Sequence, residues 1–167
     1  MLQIFYKSFA RLDRYLTANA FLLMAAVGVE SLVFGGLVFE AVNYVFPVNL
    51  PNPFSAWSPT LYFLVVVVIM PILETLVFQS APYWALKKWQ IRGWIFWLIM
   101  VAPFALAHSQ YSIARGIGAG VVGGLYLGAC YVLVRGRYSF LYAFAITASA
   151  HSLHNLIVVV VDRIFPD

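Results

Sequence analysis

Five apolar runs, roughly Thr17–Tyr44, Pro59–Ala85, Ile91–His108, Ile113–Val134 and Tyr138–Ile164, take up most of the chain. Each reaches or approaches the roughly 20 residues that an α-helix needs to cross the hydrocarbon layer of a bilayer. With 63% of the residues hydrophobic and 10% charged, no ordinary water-soluble domain is in prospect. The expectation is an all-α, polytopic membrane helix bundle of about five transmembrane helices, forming a single domain over residues 1-167. The first run continues through Glu30 into GGLVF with no small-residue cleavage region behind it, so it reads as a retained span and not a signal peptide. Cys130, the single cysteine, lies in an apolar run, which excludes a disulfide framework or a cysteine-rich metal site.

The net charge of +4 does not point to nucleic acid, because the basic residues sit at the ends of the apolar runs, as orientation signals do. Lys7, Arg11 and Arg14 precede the first run. Lys87, Lys88 and Arg92 separate the second and third, and Arg135 and Arg137 the fourth and fifth. These three gaps must share one side, so the positive-inside rule puts the N-terminus inside and the C-terminus outside. Trp84, Trp89 and Trp94 flank the basic cluster as interfacial aromatics. Residues 2–16 repeat Phe5, Phe9, Leu12 and Leu16 on one side and Lys7, Arg11 and Arg14 on the other. That is the pattern of an amphipathic helix lying in the headgroup region, or of a short lead-in to the first span. Residues 17–58 then hold the first span and an outer loop rich in proline and asparagine. In the fourth run Gly116, Gly120, Gly124 and Gly128 form one face at four-residue spacing, which marks a close helix–helix contact and a central position in the bundle.

Against this background the ionisable residues inside the runs stand out, because such groups are costly in lipid and face a partner or a wet cavity. Glu74 lies thirteen residues from Lys87, His108 sixteen from Arg92 and His151 fourteen from Arg137. At 1.5 Å per residue these distances are about 20, 24 and 21 Å. Three residues on three helices thus reach one level, somewhat beyond the midplane toward the outside. Asn155 follows His151 by one turn on the same face. A glutamate partly removed from bulk water is a competent general base. A histidine can hold the attacking water, and a second histidine with an amide can donate to an oxyanion. The chemistry this set suits is hydrolysis. Ser149 and Ser152 beside His151 read as helix-packing residues.

The motifs that carry these residues resemble those of the CPBP family, the CAAX proteases and bacteriocin-processing enzymes, which are glutamate-type intramembrane proteases. The family's Glu-Glu-x-x-x-Arg motif is met by ETLVFQ, with Glu74 as the first Glu and Phe78 in place. Its Phe-x-x-x-His motif is met by Phe104 to His108, and its His-x-x-x-Asn motif by His151 to Asn155. The resemblance covers about residues 59 to 164, the segment expected to form the catalytic core helices. It implies peptide-bond cleavage without a metal or other cofactor, with Glu74 and His108 activating water and His151 and Asn155 stabilising the oxyanion. It further implies a membrane-anchored peptide or protein substrate, with a prokaryotic cytoplasmic membrane as the setting.

Two positions depart from the pattern: Thr75 replaces the second Glu and Gln79 the Arg. They stand at i and i+4, where the family's pair can form an ion pair on one helix face. Both charges are lost together here, leaving two groups that can still hydrogen-bond in support of the site. Glu30, at a comparable depth on the first helix, can supply a second carboxylate, or else pair with Arg115 or mark a polar helix contact. His154 can enter the cavity or bond a neighbouring helix.

Three other readings compete. Glu74, His108 and His151 offer the two-His, one-carboxylate set of a zinc hydrolase, although the compact HExxH pattern is missing. The loss of the second Glu and the Arg admits a non-catalytic immunity or assembly protein of the same fold. Proton or ion transport needs polar residues through the whole membrane, and the inner half of the runs holds few. A site in the outer half suits the tail of an exported protein better than a prenylated CAAX substrate.

Overall fold

The computed structural model describes residues 10–17, 19–47, 56–110 and 112–164, which are mainly helical and contain no strand. We name them α1 (residues 10–17), α2 (Ala20–Val45), α3 (Pro59–Lys88), α4 (Gly93–Ser109), α5 (Ile113–Arg137) and α6 (Phe140–Ile164). The five expected spans correspond to α2 through α6. Four of these are long and apolar enough to cross a membrane, and α4, with 17 residues, is a shorter apolar helix. Most of the proline- and asparagine-rich loop lies outside the described residues.

Side chains start several of these helices. Asn19 accepts from the N–H of Phe21 at 2.7 Å, Ser58 from Leu61 at 3.3 Å, Ser112 from Arg115 at 3.0 Å and Ser139 from Tyr142 at 3.3 Å. Each satisfies one of the N–H groups that a helix leaves without an internal acceptor. The start of α4 has no such side-chain cap.

α5 lies at the centre of the bundle, against α2, α4 and α6. The glycine face expected there packs on α4. A Cβ added at Gly116 would meet Ser109, one at Gly120 the Cα of Ala105, and one at Gly124 the ring of Phe104. A second close approach was not legible in the four-residue spacing. Gly118 of α5 meets Gly35 of α2, where a Cβ would lie 2.6 Å from the Gly35 carbonyl oxygen. Without a hydrophobic drive between helices in lipid, such backbone approaches hold the bundle through van der Waals contact. Large apolar side chains such as Phe34 and Leu37 of α2 and Leu73 and Val77 of α3 remain exposed on the outside, where acyl chains would cover them.

The helix expected over residues 2–16 is present as α1 in its described part; Phe5, Lys7 and Phe9 lie outside the described residues. Its apolar side meets protein and not headgroups, since Leu12 and Leu16 are buried in the main core with Leu23, Val27 and Val134. Two ion pairs draw α1 in: Arg11 with Glu30 at 2.6 Å and Asp13 with Arg137 at 2.7 Å. The second pair also brings two of the basic gaps to one end of the bundle. We call this the basic end.

Helix lengths leave a step at the opposite end. α3 and α4 meet in the turn after Lys88, yet α3 has 30 residues and α4 has 17. At 1.5 Å per residue they extend about 45 and 25 Å, so α4 stops roughly 20 Å short of the far end of α3. α4 accordingly packs on the basic-end half of α3, residues 75–88. The turn from α4 to α5 is therefore recessed, and His108 is the last residue but one of α4.

Candidate active site

Two prolines shape the helix that carries Glu74. In α3 the segments Leu64–Ile69 and Thr75–Ser80 are π-helical, and each is followed after one residue by a proline, Pro71 or Pro82. A proline inside a helix has no N–H to donate and crowds the preceding turn. A π turn absorbs the mismatch. Met70 donates to Val65 O, and Pro71, next in line, has nothing to donate, so the Val66 carbonyl has no acceptor role left within the helix. The side chain of Asn155, from α6, donates to that carbonyl at 2.9 Å. Glu74 lies between the two π turns, on a one-turn α-helical stretch.

One helical turn of α6 before Asn155, His151 reaches the same helix. Its Nε2 is 3.4 Å from Oε2 of Glu74, with the His151 side chain 5% and the Glu74 side chain 16% exposed. The structure thus joins α3 and α6 at two levels, Glu74–His151 and Val66–Asn155. His108 is held from α4. Its Nδ1 is 3.0 Å from the Phe104 carbonyl oxygen. A carbonyl only accepts, so Nδ1 bears the hydrogen, and in the neutral ring Nε2 keeps its lone pair. The Phe104 ring packs against both imidazoles, its centroid 4.3 Å from that of His108 and 5.8 Å from that of His151. Phe78 closes on Phe104 edge to face at 5.4 Å. Both motif phenylalanines are therefore wall residues that fix the rings and keep the surroundings apolar.

The supporting positions fall differently from the expectation. Thr75 and Gln79 are fully buried, but Oγ1 of Thr75 and both polar atoms of the Gln79 amide make no hydrogen bond with a described group. The neutral pair therefore does not reproduce the bond of an ion pair on this face. Glu30 does not serve as a second carboxylate at the site, nor does it pair with Arg115. Its Oε2 takes the Arg11 guanidinium at 2.6 Å and the Tyr126 hydroxyl at 3.2 Å. The reason is the docking of α1, which the sequence spacing alone does not specify. His154 turns away to α2, where its Nδ1 lies 2.8 Å from Ser31 Oγ, and that hydroxyl donates on to Gly28 O at 3.2 Å.

Glu74, His108 and His151 are the set a zinc centre would need. Among the described residues no three His, Cys, Asp or Glu side chains are placed to hold a metal ion. Two partners at the site went unforeseen, the Val66 carbonyl and Ser31. The signal for the first was available in Pro71, whose missing N–H leaves a carbonyl orphaned one turn earlier.

A family model described as Rce1-like, type II CAAX prenyl endopeptidase Rce1-like, matches residues 56–157. The matched segment takes in Glu74, His108, His151 and Asn155, and it covers nearly all of the stretch whose motifs carried the resemblance. No curated protein and no solved structure matches the chain.

Proposed function

The chain belongs to the Rce1-like type II CAAX prenyl endopeptidase family, which supports a membrane protease activity; from that premise we propose that Glu74 is its general base, acting without a resident metal. A water held between the Glu74 carboxylate and Nε2 of His108 loses a proton to Glu74 as it attacks the scissile carbonyl. Glu74 then returns that proton to the leaving amine nitrogen. The developing oxyanion receives hydrogen bonds from Nε2–H of His151 and from Asn155. At 3.4 Å the His151–Glu74 contact is looser than a formed charge-assisted bond, typically about 2.7–2.9 Å, so the N–H is available to turn toward the oxyanion. An amide nitrogen has two hydrogens, and Asn155 commits one to Val66 O, which fixes the direction of the other.

The observation that carries this reading is the contact between a largely buried carboxylate and a buried imidazole across α3 and α6, with the His108 ring packed on the same Phe104 as the His151 ring. The recess above the short α4 supports it as a path for water to a site that is otherwise walled by apolar side chains. The substrate in this reading is a membrane-anchored peptide whose scissile segment reaches the recess from the face opposite the basic end. Co-expression of candidate membrane peptides, a prenylated one among them, with wild type or Glu74→Gln followed by peptide mass measurement tests it. Wild type should yield a fragment pair whose masses sum to the peptide plus water, and E74Q should yield none. Equal cleavage by both refutes the assignment. A second reading, a member that does not cleave, is favoured by the unbonded Thr75 and Gln79; it requires wild type and E74Q to behave alike by leaving every peptide intact.

A further inference from the structure

The basic end of the bundle holds a cavity, about 20 Å along α3 from Glu74. Its volume is about 560 Å³, and Lys87, Gln90 and Arg92 line it together with Tyr83, Phe96 and Trp97. Three observations bear on what it takes. The first is charge. Of the six acidic residues in the chain, Asp13 pairs with Arg137, Glu30 with Arg11 and Glu74 with His151. Glu40 and Asp162 lie toward the other end of α2 and α6, and Asp167 follows them. Lys87 and Arg92 thus have no ion-pair partner among the described residues, whereas Arg11 and Arg137 do. The second is the wall. Lys87 Nζ lies 5.8 Å from the Tyr83 ring centroid, and Tyr83 and Phe96 pack edge to face at 6.3 Å. Cationic and aromatic groups thus line the cavity together. The third is level. Trp84, Trp89 and Trp94 stand exposed around it, as at a membrane–water interface.

We infer that this cavity binds one anionic phospholipid, with its phosphate between Lys87 and Arg92 and its glycerol and first acyl carbons against Tyr83, Phe96 and Trp97. Basic pockets between helix ends take acidic headgroups in this way, and a lone soluble anion would leave the aromatic groups unused. The turn that shapes the cavity fits the role. It closes α3 with Ile91 N–H on Leu86 O and places Gln90 in the left-handed region at φ 55, where glycine would be unstrained. The N–H groups that open α4, left without a side-chain cap, begin at Gly93 on the same cavity.

The test uses full-length protein in nanodiscs of mixed phosphatidylcholine and phosphatidylglycerol, moved to a neutral detergent, with retained lipid counted by native mass spectrometry. Wild type should keep one phosphatidylglycerol in preference to phosphatidylcholine. K87Q/R92Q should weaken retention about 30-fold, roughly fivefold for each basic residue. K88Q removes one positive charge from the same helix end, but Lys88 lies over Trp84 at 5.2 Å and does not line the cavity, so it should match wild type. V132W fills the α5 wall with every charge intact and should also release the lipid. Glycerol 3-phosphate in excess should leave the bound lipid in place. Equal loss in K88Q, full retention in V132W, retention of phosphatidylcholine as well as phosphatidylglycerol, or displacement by glycerol 3-phosphate each overturns the assignment.

Discussion

Gly120→Ala adds one methyl group at the point where α5 comes closest to α4. The new Cβ would lie 2.5 Å from the Cα of Ala105, where carbon atoms in contact stand roughly 3.5–4.0 Å apart. The obstacle is backbone, so no rotamer change relieves it, and the two helices must separate by about 1 Å. Overpacking of this kind costs about 1–3 kcal/mol. For a chain of this size it lowers the unfolding midpoint by roughly 2–12 °C. His108 is three residues from Ala105 on the same helix. A shift of about 1 Å at a reacting group can lower turnover by about 100-fold. The chain carries its own probe of opening, because Cys130 is the single cysteine and is fully buried. A dye that fluoresces on reacting with a thiol therefore reports when the bundle opens on heating. Two other glycines calibrate the result. At Gly128 a Cβ would be 3.6 Å from the Trp97 ring, an ordinary contact, and at Gly36 nothing lies within 4 Å. G128A should sit near wild type in midpoint and turnover, and G36A at or slightly above it, since alanine favours a helix by up to about 1 kcal/mol over glycine. A G120A midpoint equal to that of wild type, or a loss in G128A as large as in G120A, would refute the close α4–α5 packing and its control of His108.

Glu74→Gln should lower peptide cleavage by about 10²- to 10⁴-fold, the usual contribution of a general base, while the Cys130 labelling midpoint stays near wild type. Asn155→Ala leaves the Val66 carbonyl without a donor and should cost about 1–3 kcal/mol. Pro71→Ala restores an N–H to that turn, so in the double variant the loss should shrink; midpoints that simply add would show that Asn155 does not cap this carbonyl. Glu30→Gln weakens a pair that is partly exposed to its surroundings, so the midpoint should fall by an amount equivalent to about 1 kcal/mol with turnover unchanged. A collapse of turnover at an unchanged midpoint would instead make Glu30 a second working carboxylate. Chelation by phenanthroline should leave cleavage intact, and loss restored by added zinc would return the zinc reading.

How far each feature could be read ahead depends on whether its cause is local. Helix length and apolar content are properties of a continuous segment, so the five runs became α2 through α6 with ends shifted by a few residues. Depth is local too. Counting 1.5 Å per residue from the basic gaps predicts one level for Glu74, His108 and His151, and the Glu74–His151 contact and the two rings on Phe104 agree with it. The glycine face of α5 was legible for the same reason, since four-residue spacing alone aligns one side of a helix. The partner of each face was not. Lipid and protein interior are equally apolar, so a Leu facing acyl chains and a Leu facing the core look alike in the sequence, and no polar stripe records how a helix is rotated. α1 does carry a polar stripe, but its apolar face would suit headgroups or core alike, and only the tertiary structure decided that α1 buries Leu12 and Leu16 in the core and brings Arg11 to Glu30. It likewise turned His154 to Ser31 and Asn155 to Val66, choices that depend on which neighbouring helix offers an unmet hydrogen bond at that height. The sequence by itself determined which segments form apolar helices and how far along each its polar groups sit; rotation and neighbourhood, which no single helix encodes, determined what each of them touches.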